Sequence, residues 1–135
     1  MEIKLTEKES EEYFCNALCN GGLQSLECSG IELEINKDDY KEAKKALQDK
    51  NNDERVMICY EDVLMQILRG GKKLKFVDVE DEESEQTKEI SLADVHEKVC
   101  KMPIEHLNDY IEENDDATTA DVLLQTVLYG EIIFG

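Results

Sequence analysis

The sequence predicts an α+β fold: a single domain in which a small antiparallel sheet is packed by helices and closed by a helix-rich, acidic C-terminal part. Three observations predict it. Apolar residues recur at helical spacing in several separate stretches, whereas Ile31, Leu33 and Ile35 alternate with Glu32 and Glu34 in the period-2 pattern of a half-buried strand. No internal repeat or linker divides the chain. Its 135 residues, 41% of them apolar, suffice for one core but not for two substantial ones.

Thr6 and Glu9 have the spacing of a capping box, in which each side chain satisfies a free N–H at a helix start. Tyr13, Phe14, Ala17 and Leu18 follow as the apolar face, and Asn20-Gly21-Gly22 stops the helix. Leu23 to Cys28 is expected to pair across Ser29-Gly30 with the alternating strand that begins at Ile31. A second helix starts at Asp38 or Asp39, turns Tyr40, Ala43 and Leu47 inward and presents Lys41, Lys44 and Lys45 outward.

After the polar loop 51–54, a strand over Val56 to Cys59 leading into a helix over Tyr60 to Arg69 is preferred to one continuous helix; Gly70-Gly71 ends it. Lys73 to Glu80 reads as a strand and Thr87 to Leu92 as its hairpin partner, joined by a solvated acidic loop. Ser91 or Leu92 opens a helix with Leu92, Val95, Val99 and Met102 inward. Pro103 suits the first turn of the next, where its missing N–H costs nothing. The stripe of that helix is Ile104, Leu107, Tyr110 and Ile111, and Asn114-Asp115-Asp116 breaks it. Thr118 and Asp121 suggest the cap of a final helix that is apolar nearly all round and therefore central or at an interface. Ile132, Ile133 and Phe134 are expected to pack as a strand or a core plug, or to complete a neighbouring copy in a homo-oligomer.

Charge excludes some function classes. With 33 acidic residues against 15 basic ones, the formal charge is −18, which argues against direct nucleic acid binding and against an anionic membrane. The charge is uneven. Residues 1–75 hold 12 basic and 16 acidic side chains, a balance of −4; residues 76–135 hold 3 and 17, a balance of −14. Beyond solubility, a docking face for a basic protein partner accounts for this asymmetry, and the carboxylates expected to carry it are Glu80, Asp81, Glu82, Glu83, Glu85, Glu112, Glu113, Asp115 and Asp116. A DNA-mimic inhibitor is the sharpest form of that idea, and needs carboxylates arrayed on one long face. No dedicated calcium loop is present: Asp78, Glu80 and Glu82 alternate, but neither they nor residues 114–121 have the central glycine.

Cys15 with Cys19, and His96 with Cys100, have i, i+4 spacing, so two packed helices would turn them into a Cys3His zinc site. Without a CxxC knuckle, packing is the preferred reading, and no cofactor is assigned. A small Cys/His enzyme would use Cys59, at a strand-to-helix junction, activated by His96 or His106. Glu61 and Asp62 oppose a thiolate there, and no third orienting residue is evident. Arg69, Lys72, Lys73 and Lys75 form the one basic cluster, expected to offset nearby carboxylates or protect a strand edge. Five cysteines without a disulfide framework, and an N-terminal stretch lacking the apolar core of a signal peptide, point to a cytoplasmic protein. The functional expectation is a non-enzymatic interaction or regulatory module.

Overall fold

The computed structural model describes residues 4–51 and 57–134, and has the predicted α+β architecture. Helix α1 (Glu7–Cys19) begins with the expected capping box: Glu9 N–H donates to the Thr6 hydroxyl and Thr6 N–H to the Glu9 carboxylate. It ends at Asn20, and Gly21 takes the left-handed conformation, φ 90°, that glycine adopts without strain.

The segment expected to be a strand is instead a second helix, α2 (Gly22–Cys28). Leu26 is its buried anchor, and the spacing of Leu23 and Leu26 suits a helical face better than a pleat. The close approach that allows this is at Gly22. A Cβ there would lie 2.6 Å from the Ala17 carbonyl oxygen and 2.6 Å from Leu124 Cδ1.

Strand β1 (Ile31–Glu34) pairs antiparallel with β2 (Leu74–Asp78), which pairs antiparallel with β3 (Lys88–Ile90), in the order β1-β2-β3. Ile31, Leu74, Phe76 and Ile90 face the core; Glu32, Glu34 and Glu89 face outward. Both β2 and β3 are shorter than predicted, and Leu92 belongs to the following helix. Between β1 and β2 come α3 (Lys37–Asn51) and α4 (Tyr60–Arg69). The α3 helix starts slightly earlier than expected because Asn36, not an aspartate, caps it, its side-chain oxygen accepting from the N–H groups of Asp38 and Asp39. No strand precedes α4 at residues 57–59, and Val56 lies outside the described residues. Met57 is 86% exposed, and Cys59 is the N-cap of α4, its carbonyl accepting from Asp62 and Val63.

Helix α5 (Leu92–Lys98), capped by Ser91 and Asp94, runs into a 3-10 turn (Val99–Lys101), and α6 (Ile104–Ile111) follows Pro103. Only Leu107 and Tyr110 of the predicted stripe on α6 are buried; Ile104 and Ile111 stay 55% and 44% exposed. Helix α7 (Ala117–Tyr129) is capped two residues earlier than predicted, by Asp116 with Thr119, while Asp121 accepts a hydrogen bond from Gln125 instead.

As its composition predicted, α7 is central: nine of its residues are buried, and it packs against α1, α2, α5, α6 and β3. Each large side chain buried there contributes about 1.5–3 kcal/mol relative to exposure. The C-terminal tail is neither strand nor full plug. Phe134 packs edge-on against Tyr129, and the buried Gln125 accepts from the N–H groups of Ile133 and Phe134, at 2.8 and 2.9 Å. Ile132 and Ile133 remain partly exposed.

Candidate functional site

The residues proposed for thiol and metal chemistry do not converge. His96, on α5, turns to α1: its Nε2 lies 3.0 Å from Glu11 Oε2, and Arg69, at the end of α4, donates to the other oxygen of Glu11 at 2.7 Å. Burial pushes the Glu11 carboxyl upward, but hydrogen bonds and charge from Arg69 and His96 outweigh it and hold the group below its ordinary value. This three-residue clamp ties α1, α4 and α5 together. Cys59 sits at the opposite end of α4, a ten-residue helix about 15 Å long, so the Cys59–His96 pair of an enzyme is not assembled. His106 is part-buried on α6.

The cysteines are similarly dispersed. Cys15 packs against Asp62, sulfur to oxygen 3.8 Å, and burial together with the Asp62 and Glu61 charges pushes its thiol up to about 12. Cys19 is raised by the charge of Glu61 first, then by burial. Cys100 donates to the Glu97 carbonyl oxygen at 3.3 Å. Among the described residues no group of three or more His, Cys, Asp or Glu side chains is placed to hold a metal ion, so Cys15, Cys19, His96 and Cys100 do not form the tetrahedral site their spacing allowed. Two members of the basic cluster are engaged by neighbouring carboxylates. Besides Arg69 on Glu11, Lys72 reaches Asp39 at 2.8 Å and Glu42 at 3.1 Å, and Lys75 lies in register opposite Glu34.

The predicted docking carboxylates fall into two groups, separated by the length of α7. Glu80, Asp81, Glu82, Glu83 and Glu85 lie in the β2–β3 turn, which the C-terminal end of α7 holds through Tyr129 Oη donating to the Gln86 carbonyl oxygen at 2.9 Å. Glu112, Glu113, Asp115 and Asp116 lie at its N-terminal end. Thirteen helical residues span about 20 Å, so the two groups are distinct patches. In the turn, Asp78 and Asp81 accept from the N–H groups of Glu80 and Glu83 and shape the backbone. The glutamates between them point to solvent.

The second patch is a corner built from three helices. Tyr13 of α1 stacks on Tyr110 of α6, ring centroids 5.3 Å apart. Burial raises the Tyr13 phenol, and the negative charges of Glu9, Glu12 and Glu113 raise it further. Burial likewise raises Tyr110, with Asp115 and Asp116 adding to it. Asp115 accepts from the Asn20 side chain at 2.8 Å and locks the turn to the end of α1. Glu113 is left-handed, φ 61°, and this lets the N–H of Asn114 reach back to the Asp109 carbonyl at 2.7 Å. No described cation pairs with Glu12, Glu112 or Glu113.

Beside these charges α6 exposes Ile104 and Ile111, seven residues apart and so on one side of the helix. Charge counting along the chain assigned the acidic surface to residues after Lys75 and missed Glu9 and Glu12. The available signal was their position flanking Tyr13, a large aromatic that has to pack.

No family model, curated protein or solved structure matches this chain. Among the described residues no helix is long and apolar enough to cross a membrane.

Proposed function

We infer that this protein is a non-enzymatic docking module, acting in the cytoplasm, which binds a basic protein surface through the corner formed by α1, α6 and the α6–α7 turn. The observation that carries this reading is the Tyr13–Tyr110 stack, which joins α1, with Glu9 and Glu12 flanking Tyr13 in sequence, to the end of α6, where Glu113 N–H bonds back to Tyr110, while Ile104 and Ile111 of that helix stay exposed. Gathering like charges destabilises the folded state by self-repulsion, and a cationic partner removes that cost on binding. The isoleucines add apolar area that an acidic surface kept only for solubility has no need to expose. Charges of this kind raise the association rate and exclude acidic competitors more than they add affinity, which suits a regulatory contact. A DNA mimic has less support, since the two carboxylate patches lie at opposite ends of α7 instead of forming one array.

The test is affinity capture with the intact protein and with a Glu12→Lys, Glu112→Lys, Glu113→Lys variant, at low and high salt. A protein retained by the native chain, released by salt and lost by the variant supports the reading. Retention that is equal in both chains, or indifferent to ionic strength, refutes it.

A further inference from the structure

At the other end of α7 the structure holds an open groove of about 650 Å3. One wall is strand β3, the second is α5, and the third is the end of α7 with the tail. The pairing of β3 is informative. Val79 N–H donates to the Gly30 carbonyl, so the hydrogen-bonded positions between β1 and β2 include Val77 and Lys75, and those between β2 and β3 are Leu74 with Ile90 and Phe76 with Lys88. Glu89, between Lys88 and Ile90, therefore turns both its N–H and its C=O away from the sheet, at an open edge, and is itself exposed. The flanking positions are closed: Thr87 N–H bonds to Ser84, and Ser91 N–H to Asp94.

The charge around the groove sets the sign of what enters it. Asp94 is already engaged by Ser91 and by Lys98, at 3.7 Å. Glu85, Glu89 and Glu131 make no ion pair with a described residue, against Lys88 as the one remaining cation in the lining. Tyr129 and Ile133, the latter 37% exposed, supply apolar wall on the core side.

We propose that this groove binds a short extended segment of a basic protein, paired through its backbone to Glu89 at the open edge of β3. The register dictates the pattern of that segment. A residue directly opposite Glu89 puts its side chain on the same, outer face, where arginine or lysine meets the Glu89 carboxylate; its neighbours turn inward, where valine or isoleucine meets Tyr129 and Ile133. The recognised ligand is therefore an alternating basic and apolar strand, and the mode is edge addition. The inference takes the partner's charge from the docking reading above, but uses a different end of the molecule.

The experiment uses a labelled Arg-Val-Arg-Val-Arg peptide with the intact protein, read by anisotropy and by amide chemical shifts. Expected are shifts at residues 88–90, 129 and 133, and affinity lowered at least about tenfold by N-methylation of the arginines, which removes the donor to the Glu89 carbonyl. Glu89→Lys with Glu131→Lys, both at exposed positions, lowers it comparably, while Glu112→Lys with Glu113→Lys leaves it unchanged. Equal binding of the N-methylated peptide, shifts centred on α6, or no binding at all each overturns the proposal. Shifts centred on α6 would still leave the corner reading standing, so the two fail separately.

Discussion

Replacing Glu113 with glycine is expected to make the protein more stable and less able to hold a basic surface, and different atoms cause the two effects. Glu113 is the single non-glycine residue with positive φ among the described residues, at 61°. For an L residue this conformation crowds Cβ against the following carbonyl oxygen and costs about 1–2 kcal/mol. Glycine removes that cost and restores about 0.5–1 kcal/mol of unfolded-state entropy on the other side of the balance. Removing the charge adds only a few tenths of a kcal/mol, since repulsion between exposed like charges is screened at physiological salt. The net gain is about 0.5–1.5 kcal/mol, a rise of about 2–6 °C in Tm for a chain of this size.

Urea and thermal unfolding measure the gain, and Glu113→Gln separates its sources. Glutamine keeps the strained backbone and removes the charge, so it recovers only the electrostatic tenths while weakening the basic partner as much as glycine does. Destabilisation by Glu113→Gly would refute the left-handed assignment. Stabilisation without weaker binding would remove Glu113 from the docking surface. Equal stabilisation by both variants would mean that repulsion, not backbone strain, dominates at this turn.

Glu11→Gln should cost about 2 kcal/mol at neutral pH, because it weakens two charge-assisted hydrogen bonds in a half-hidden site. The folded-state value of Glu11 lies below its ordinary 4.5, so its contribution is fully present above about pH 4.5 and is lost as pH falls through the lower folded value. Wild type and variant should therefore converge in urea titrations in acid; a gap that persists there contradicts the clamp. Gln125→Leu removes the acceptor of the Ile133 and Phe134 N–H groups, and should cost about 2 kcal/mol and speed hydrogen exchange at residues 133 and 134. Unchanged exchange would show that the tail is held otherwise. Gly22→Ala should cost at least about 2 kcal/mol, since its Cβ meets a backbone oxygen that cannot move without shifting α1. A neutral result by chemical denaturation would contradict the α1–α2–α7 packing.

Much of the fold was legible in the sequence because its signals are local. The Thr6–Glu9 box, the alternation from Ile31 to Glu34 and the helix from Tyr60 to Arg69 are each read from neighbouring residues, and each appears where expected. The errors share a different character. Leu23 to Cys28 is a helix whose first residue, Gly22, packs against Leu124, about a hundred positions away along the chain, a contact no local pattern announces. Asp116 was hidden as a cap inside a run of acidic residues that resembled a solvated break, so the start of α7 was assigned to Thr118. The i, i+4 thiol and histidine pairs described real helix faces, but spacing carries no information on which helix comes opposite, and α1 presents Glu11 to His96.

The acidic surface shows the same difference between order along the chain and order in space. Residues 76–135 carry most of the negative charge, yet α7, buried through the middle of that segment, holds its two carboxylate groups about 20 Å apart. That distance exceeds the Debye length of about 8 Å at physiological salt, so the potential at one end is nearly independent of the charges at the other. Each end instead recruits carboxylates from elsewhere: Glu9 and Glu12 from α1 at the corner, and Glu131 from the tail at the groove. A uniform anionic field would make all charge reversals interchangeable. Two screened patches with different apolar neighbours, Ile104 and Ile111 at one and Tyr129 and Ile133 at the other, make them separable, so reversal at the corner should leave binding at the groove intact and the converse should hold as well.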